Sequence, residues 1–346
     1  MIVKIYGAGS IGNHLANACR QKNWQVDIVD SDPEALDRMR HSVYPGRYGS
    51  WDENINTFIL GSEPNNGHDL IFIGTPPDTH IDLAIKAIAE RPRAILVEKP
   101  LSQPNCSKMQ EFKALALGKN TPRIFVGYDH VVGYAMKKFE EIVLGNDFGN
   151  ILTIDAEFRE HWEGIFKAHP WLNGPQDSYL GHTKRGGGAL CEHSHALNLW
   201  QHLARVTGCG EVVSVKADFD WVTDANFGNV YDRAAYLNLT TESGIVGRCV
   251  QDVFSVAGQK QVKVHFENAS LSWICGFEPN VDAVLLSRKG AEPEIFKFKK
   301  SRPEDFILEL EHIESVMNTG TTSPIGIEFG LKTIDVIEMT KVMGMN

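Results

Sequence analysis

The chain opens with the stretch Ile2-Val3-Lys4-Ile5-Tyr6-Gly7-Ala8-Gly9-Ser10-Ile11-Gly12, a short apolar strand that runs straight into a glycine-rich turn. Apolar residues recur at helical spacing after this turn, and a second apolar strand at 26–29 ends in Asp30. This acid lies 18 residues after Gly12. The order of strand, glycine turn, helix, strand and acid is typical of a dinucleotide-binding unit, and it predicts a Rossmann-type parallel sheet.

The glycine-rich turn has properties that suit a pyrophosphate group. Gly7 allows the tight turn, Gly9 lets a phosphate reach the backbone, and Gly12 lets the helix pack closely on the strand. The start of the helix presents N–H groups and a partial positive charge to the phosphates. The predicted cofactor-binding residues of the turn are Gly7, Gly9, Ser10, Ile11 and Gly12.

The acid at the end of the second strand bears on the choice of dinucleotide. Asp30 can accept hydrogen bonds from the adenosine ribose, whereas its negative charge would repel a 2′-phosphate. No Arg or Lys follows it within the next several residues. The sequence therefore favours NAD over NADP as the cofactor.

Two further apolar strands end in polar turns. Residues 70–73 run into Gly74-Thr75-Pro76-Pro77-Asp78-Thr79-His80, and residues 94–97 run into Glu98-Lys99-Pro100. Open α/β sheets bind ligands at the carboxyl ends of their strands. We therefore expect both turns to lie at the cofactor site, although a Glu-Lys pair in an arbitrary protein more simply forms a surface ion pair.

The overall composition excludes several classes of protein. With 346 residues the chain is too long for one ordinary core, so two domains are expected. Its formal net charge of -10 argues against a nucleic-acid partner. No apolar stretch approaches the ~20 residues of a membrane span. The six cysteines show no close pairing, and the first strand leaves no room for a signal peptide, so we expect reduced thiols and a cytoplasmic protein.

The second half of the chain has a different pattern of strands. Apolar and polar residues alternate at 154–159, 213–219 and 262–267. Such alternation is typical of antiparallel sheet with one packed face and one wetter face. We expect a dinucleotide-binding domain at 1–122 and a second, α+β domain at 123–346.

One segment of the second half carries ionisable groups on an apparent buried helix. It reads Lys184-Arg185-Gly186-Gly187-Gly188-Ala189-Leu190-Cys191-Glu192-His193-Ser194-His195-Ala196-Leu197-Asn198. On a helical wheel Glu192, His195 and His202 share one arc, with apolar residues opposite. Burial of such groups is costly unless they are paired or used, and the glycine triplet lets another molecule approach the backbone. The segment is therefore a candidate site, with a satisfied interior histidine as the alternative for His195.

Together these motifs make the chain resemble the Gfo/Idh/MocA family, the glucose–fructose oxidoreductase and inositol dehydrogenase group. The matching stretches, which span nearly the whole chain, are residues 7–12, 75–80, 98–100, 127–130, 186–198 and 232–234, with Pro324. The resemblance implies an α/β protein whose N-terminal Rossmann domain binds NAD(P) and whose C-terminal α+β domain has a large, open-faced, mostly antiparallel sheet. It also implies a substrate that is a sugar, a sugar derivative or a cyclitol, and a homodimer or dimer of dimers formed through that sheet. The C-terminal helix is a candidate to pack back on the N-terminal domain.

The resemblance also implies roles for individual residues. Lys99 corresponds to the family's active-site lysine, and His195 to the histidine most often assigned as proton donor or acceptor. Around the cofactor, the residues that match are Thr75, Pro76, Pro77, His80, Glu98 and Lys99. Around the substrate, the predicted residues are Tyr128, Asp129, His130, His169, Trp171, Glu192 and Asn198. Ordinary packing is the alternative for Trp171.

The chain departs from the family's commonest pattern before its histidine. There an aspartate precedes the histidine by four residues, whereas here Cys191 holds that place and Glu192 stands three residues before His195. A subset of the family with similar spacing often acts on sugars for surface polysaccharides. The same fold also leaves two alternatives to a simple dehydrogenase. One is a non-catalytic, NAD-responsive binding or regulatory protein, and the other is a redox-neutral, NAD-dependent glycosidase.

The residue types predict acid–base chemistry without a metal ion. We expect hydride transfer between nicotinamide and a carbinol carbon, with His195 taking the hydroxyl proton and Lys99 stabilising the developing alkoxide. An imidazole with an unperturbed pKa of ~6.5 suits proton exchange near neutral pH. Glu192, His193 and His195 do not predict a metal site, because adjacent residues on a helix point apart and no further ligand completes a set.

Overall fold

A computed structural model describes residues 1–226, 228–301 and 303–342. The described residues form two compact units. The first unit comprises residues 1–102, 106–129 and 303–330. The second unit comprises residues 103–105, 130–301 and 331–342, apart from residue 227.

The secondary structure alternates in the first part of the chain and becomes strand-rich in the second. The helices are α1 (Ser10–Gln21), α2 (Pro33–Arg38), α3 (Tyr44–Tyr48), α4 (His80–Glu90), α5 (Met109–Ala116), α6 (Tyr134–Leu144), α7 (Glu163–Ala168), α8 (Gly188–Glu192), α9 (Ser194–Val206), α10 (Glu304–Thr319) and α11 (Ile327–Met339). The strands are β1 (Ile2–Tyr6), β2 (Gln25–Asp30), β3 (Ile55–Ile59), β4 (Leu70–Ile73), β5 (Ala94–Val97), β6 (Arg123–Val126), β7 (Ile151–Arg159), β8 (Val212–Asp224), β9 (Gly228–Thr241), β10 (Val246–Asp252), β11 (Gln259–Phe266), β12 (Ala269–Glu278), β13 (Val281–Arg288) and β14 (Glu294–Lys299).

The first unit is built on a parallel sheet with the strand order β3-β2-β1-β4-β5-β6. Strands β4 and β5 are apolar and fully buried, as parallel strands covered by helices must be. In β1 the exposed residue is Ile2, and the buried Lys4 pairs with Glu90 at 2.8 Å. The chain reverses direction across the sheet between β1 and β4, which is the switch point where such sheets bind ligands. The predicted Rossmann domain is therefore confirmed.

The second unit is built on an eight-stranded sheet with the order β14-β13-β12-β11-β7-β10-β9-β8. Neighbouring strands are antiparallel except for β7 and β10, which run parallel. Helices α6 and α9 pack on this sheet, and the indole Nε1 of Trp200 on α9 donates a hydrogen bond to the Ile154 carbonyl on β7 at 2.7 Å. The predicted mostly antiparallel sheet is confirmed.

The histidine-bearing segment differs from its prediction in one respect. It forms two helices, α8 and α9, with a break at His193, where φ is -95° and ψ is 25°. The Gln251 amide donates to the carbonyl oxygen of Leu190 in α8 at 3.0 Å and to that of His193, at the break itself, at 2.7 Å. The prediction of one continuous helix was therefore wrong, because a side chain from a distant strand bonds the backbone at the interruption.

Among the described residues, no helix combines the length and the apolar character that a membrane crossing requires. All six cysteines have free thiols.

Candidate functional site

The glycine-rich turn joins β1 to α1 at the carboxyl edge of the parallel sheet. A Cβ atom on Gly12 would lie 1.9 Å from the carbonyl oxygen of Gly7, so only glycine fits there. Gly7 itself has a φ of +105°, which favours glycine, and its N–H donates to the Val29 carbonyl at 2.8 Å. A Cβ on Gly9 would have no described atom within 4 Å. Neighbouring backbone atoms therefore fill the space beside Gly7 and Gly12, whereas the space beside Gly9 is open.

The first turn of α1 has the properties of an anion site. The preceding Gly9 has no side chain to cap the helix, and the first turn contains no acidic residue. The side-chain amide of Asn13 donates to the carbonyl oxygens of Gly9 at 2.8 Å and Ala8 at 3.2 Å, which braces the turn from below. A phosphate group would satisfy the N–H groups at this helix end, so the residues fit the pyrophosphate of a dinucleotide.

Asp30 is tied to the same turn by its carboxylate. One oxygen accepts the N–H of Ala8 at 2.7 Å, and the other accepts the N–H of Asp32 at 2.9 Å. A carboxylate oxygen can accept more than one hydrogen bond, so Asp30 retains capacity for ribose hydroxyls. These bonds fix the acid beside the turn, as the spacing in the sequence predicts.

The next two turns along the sheet edge are joined through a buried histidine. His80 is fully buried, with Nδ1 2.9 Å from the Pro100 carbonyl oxygen and Nε2 2.7 Å from the Thr75 carbonyl oxygen. Burial lowers the pKa of His80, against the effect of these two carbonyl groups. The ring therefore connects the turn that contains Thr75, Pro76 and Pro77 with the turn that contains Lys99.

Glu98 and Lys99 directly follow β5. Lys99 is half-buried, and its N–H donates to the carboxylate of Glu98 at 3.3 Å. A Cβ on Gly127, at the end of β6, would lie 2.9 Å from this carboxylate, so the glycine makes room for Glu98. Tyr128 and Asp129 follow Gly127, with Tyr128 fully buried and Asp129 half-buried.

A buried acid on α10 was not foreseen from the sequence. Glu309 is completely buried, and neither carboxylate oxygen has a hydrogen-bond partner among the described residues. Burial raises the pKa of Glu309 well above its usual range, and the negative charges of Glu98, Asp129 and Asp305 raise it further. The first unit therefore holds a buried carboxyl group whose protonated form is favoured by burial and by the charge of Glu98, the residue before Lys99.

In the second unit, His195 lies among aromatic rings on the large sheet. Its ring centroid is 4.6 Å from that of His130 and 6.4 Å from that of Phe158 on β7. The His130 ring is in turn 5.3 Å from Trp273 on β12, and Phe158 stacks on Trp273 at 6.2 Å. The structure thus brings two predicted site residues, His130 and His195, together on one face of the sheet.

Asp232 holds the start of the segment that carries His195. It is fully buried on β9, and its carboxylate accepts the N–H of Leu190 at 2.8 Å and the hydroxyl of Thr183 at 3.1 Å. Burial raises the pKa of Asp232 to about 7, although the N–H donors act in the opposite direction. A Cβ on Gly188, where φ is +83°, would lie 2.0 Å from this carboxylate. The Asp232 carboxylate therefore leaves room only for a glycine at position 188.

The other predicted substrate residues have partners within the second unit. Glu192 accepts the hydroxyl of Tyr179 at 3.3 Å. Nδ1 of His169 lies 2.6 Å from the Ile165 carbonyl oxygen, and its ring contacts the exposed Trp171 edge-on.

Asn198 is almost fully buried and makes a contact with α11. Its side-chain amide donates to the hydroxyl of Thr333 at 3.1 Å, and that hydroxyl donates to the Gln201 amide oxygen at 2.9 Å. The Asn198 amide oxygen has no partner among the described residues. In this structure Asn198 joins α9 to α11.

Several supporting residues escaped the sequence analysis. Asn13 directly follows the glycine motif, and this adjacency was a usable signal. Asp232 lies in a stretch that matches the family, but its hydrogen-bond partner Leu190, just after the glycine triplet, precedes it by more than 40 residues. Gln251 and Glu309 had no signal, because their partners come from distant elements.

Comparisons with known proteins agree with this architecture. The model of the GFO/IDH/MocA oxidoreductase family, described as an NAD-binding Rossmann fold, matches residues 1–128. The model of the GFO/IDH/MocA C-terminal domain matches residues 136–272. No curated protein matched the chain in a sequence search.

Solved structures of similar fold include two dehydrogenases and a ketoreductase. Levoglucosan dehydrogenase in complex with NADH has a TM-score of 0.76 and 15% identity, over 98% of this chain and 95% of that one. UDP-N-acetylglucosamine 3-dehydrogenase from Acidithiobacillus ferrooxidans has a TM-score of 0.70 and 14% identity, over 99% and 96%. A 3-ketoreductase from Actinomadura kijaniata in complex with NADP has a TM-score of 0.73 and 14% identity, over 99% and 97%. At these identities the likeness establishes the fold.

Proposed function

Because the chain belongs to the GFO/IDH/MocA family of NAD(P)-dependent oxidoreductases, we propose that it transfers a hydride between C4 of nicotinamide and a carbinol carbon of a sugar, sugar derivative or cyclitol. The observation that carries this proposal is the edge of the parallel sheet, where the open turn at Gly9 and the turn of Lys99 follow strands of one sheet. Two of the similar structures are dehydrogenases that act on levoglucosan and on an amino-sugar nucleotide, and these activities support the substrate class.

The cofactor would supply the hydride acceptor, and the chain's own residues would handle the proton. In the oxidation, His195 takes the hydroxyl proton while the carbinol carbon loses its hydride. Lys99 stabilises the negative charge that develops on the oxygen. Glu192 binds a substrate hydroxyl or orients the histidine. The proposed substrate-binding residues are Tyr128, Asp129, His130, His169, Trp171, Glu192 and Asn198.

The proposal assigns cofactor binding to residues 1–122 and substrate binding to residues 123–346. NAD is the proposed cofactor, because the Asp30 carboxylate is held beside the glycine turn and would repel a 2′-phosphate. A preference for NADP in kcat/KM would overturn this part of the proposal.

A homodimer formed through the large sheet, in a cytoplasmic protein, is also part of the proposal. Support comes from large apolar side chains that are exposed on its strands. They are Leu152, Val213, Tyr236, Val246 and Ile295. Light scattering would test the dimer, and a monomer at micromolar concentration would contradict it.

The central experiment is a panel of sugars, sugar acids, nucleotide sugars and cyclitols with NAD, followed at 340 nm. Nucleotide sugars come first, because the subset of the family that the chain resembles often acts on sugars for surface polysaccharides. Lys99→Met and His195→Ala should each lower kcat by at least about 100-fold, since a stabilising charge and a general base each contribute about that much. Both variants should retain the wild-type circular dichroism spectrum.

The outcomes separate the proposal from its two alternatives. Wild-type turnover in both folded variants would show that the assigned roles are wrong. NADH binding without any substrate that changes absorbance at 340 nm would favour a binding or regulatory protein. Release of a sugar product without net NADH formation would favour a redox-neutral glycosidase.

A further inference from the structure

An arginine far along the chain reaches the glycine-rich turn in the first unit. Arg47 lies on α3, which follows the second strand of the sheet. Its guanidinium Nη1 donates to the side-chain hydroxyl of Ser10 at 3.0 Å and to the Ser10 carbonyl oxygen at 3.3 Å. Ser10 is the first residue of α1, where N–H groups face the expected phosphates. A fixed positive charge therefore stands beside the predicted pyrophosphate site.

A neighbouring histidine holds this guanidinium in place. Nη1 of Arg47 lies 3.4 Å from Nε2 of His14. A guanidinium can only donate, so Nε2 must accept, and a neutral His14 ring then carries its proton on Nδ1. Nδ1 is hydrogen-bonded to the hydroxyl of Tyr48, and the ring stacks on Phe306 at 5.1 Å. Arg47, His14 and Tyr48 therefore form a connected support beneath the turn.

The helix that carries Arg47 is itself anchored. Tyr44 is buried and makes edge-to-face contacts with Tyr48 and Trp51, with ring centroids 5.2 and 5.4 Å apart. Gly49, with a φ of 93°, ends the helix. Such packing reduces the entropy that a long side chain would lose on meeting a ligand.

We propose that Arg47 is a further cofactor-binding residue whose guanidinium, fixed by Ser10 and His14, neutralises the pyrophosphate of the dinucleotide bound on the glycine-rich turn. The inference rests on the cofactor site of the proposed function and adds a residue to it. The pyrophosphate is the partner because Arg47 is bonded to Ser10, whose turn faces the phosphates. The negative charge of Asp30, tied to Ala8, disfavours an additional phosphate on the ribose.

Ligand binding to the full chain tests this proposal without any turnover. Titrations with NADH, NADPH, ADP-ribose and adenosine are compared for the wild type, Arg47→Met, Arg47→Lys and the control Arg40→Met. Arg40 is an exposed neighbour that pairs with Glu53 at 3.5 Å. Circular dichroism melting curves check that each variant is folded.

We expect Arg47→Met to weaken NADH and ADP-ribose alike, by about tenfold, which is the scale of one charge-assisted contact to phosphate. Arg47→Lys should lose less, because it keeps the charge and loses the planar fork. Adenosine, which has no phosphate, should bind all four proteins equally, and Arg40→Met should stay within about twofold of the wild type for every ligand.

Three results would overturn the inference. Unchanged ADP-ribose affinity in Arg47→Met would remove Arg47 from the pyrophosphate site. An equal loss for adenosine would show that the residue only supports the fold. A loss confined to NADPH would place the contact at a ribose phosphate. A wild-type protein that binds none of the dinucleotides would overturn the proposed function as well, so the two failures are distinguishable.

Discussion

The chain has two glycine-rich turns, at residues 7–12 and 186–188, and they differ in the space beside their glycines. In the turn of the first unit, Gly9 faces space, with no described atom near the position that a methyl group would take, while Gly12 is closed against the backbone of Gly7. In the second unit, Gly187 and Gly188 are both closed, against the Tyr179 carbonyl and the Asp232 carboxylate. The first turn therefore has an open position at Gly9, whereas the positions beside Gly187 and Gly188 in the second turn are filled by other parts of the chain.

The difference concerns how the two units position their functional groups. The first turn lies on a helix end and is set by local backbone geometry, with Asn13 and Asp30 close by. The segment of His195 depends instead on side chains from β9 and β10, namely Asp232 and Gln251. We therefore expect substitutions within the first turn to disturb that turn. The second turn should be disturbed by substitutions of residues more than 40 positions away in the sequence.

The largest effect is expected within the first turn, where Gly12→Ala should lower the free energy of unfolding and Gly9→Ala should mainly weaken NADH binding. Gly12→Ala places a methyl group 1.9 Å from the Gly7 carbonyl oxygen, and we expect a loss of about 3 kcal/mol in the free energy of unfolding. Gly9→Ala should cost less than about 1 kcal/mol in stability, because its methyl group meets open space. It should nevertheless weaken NADH binding at least about tenfold, since the methyl group occupies the phosphate position. Urea unfolding and NADH titration measure both quantities, and equal stability losses would contradict the open-and-closed distinction.

A comparable loss is expected from a residue outside the second turn. Asp232→Ala removes the acceptor for the Leu190 N–H and the Thr183 hydroxyl, both buried, and should cost about 2–3 kcal/mol. Asp232→Asn keeps the shape and one acceptor, so its loss should be smaller. Thermal unfolding measures the loss of stability, and kcat at substrate saturation measures the effect on the segment that carries His195. An Asp232→Ala variant as stable as the wild type would remove the anchoring role.

A smaller loss is expected when the break between α8 and α9 loses its side-chain donor. Gln251→Leu leaves the carbonyl groups of Leu190 and His193 without the Gln251 amide, and we expect a cost of about 1–2 kcal/mol. Because His195 lies two residues beyond the break, kcat should fall while the affinity for NADH stays unchanged. A loss of NADH affinity as large as the fall in kcat would indicate that the whole fold is disturbed, and not only the segment that carries His195.

These contrasts explain which parts of the molecule the sequence could predict. The strand–turn–helix pattern around Gly7 and Asp30 is local, so a window of about 30 residues contains the pairing of β1 with β2 and the bond from Ala8 to Asp30. The alternation in β7 and β11 likewise follows from a period of two.

The missed features depend on contacts that no short window contains. Gln251 interrupts a helix that is 58 residues away, and Arg47 reaches Ser10 across 37 residues. Arg47 comes well after Asp30 in the chain, so the sequence alone did not show that its guanidinium reaches the glycine-rich turn. Side chains that support a site from other elements become visible only when the topology is known.

The smallest effect concerns Glu309, which tests whether the first unit is as locally determined as its glycine turn. Burial and the charges of Glu98, Asp129 and Asp305 raise the pKa of Glu309, so the native state holds a proton that an unfolded glutamate, with a pKa of ~4.3, releases. Its contribution to stability is therefore present at acid pH and lost as pH rises. Glu309→Gln keeps the shape without titrating, so the stability of the wild type relative to this variant should fall as the pH rises above the unfolded pKa of ~4.3. Asp232, whose raised pKa acts in the same direction, is present in both proteins and cancels. Glu311→Gln, exposed on the same helix, is the matched control for the loss of one carboxylate. A difference between the wild type and Glu309→Gln that stays flat with pH would mean that the Glu309 carboxyl group is ionised in the native protein.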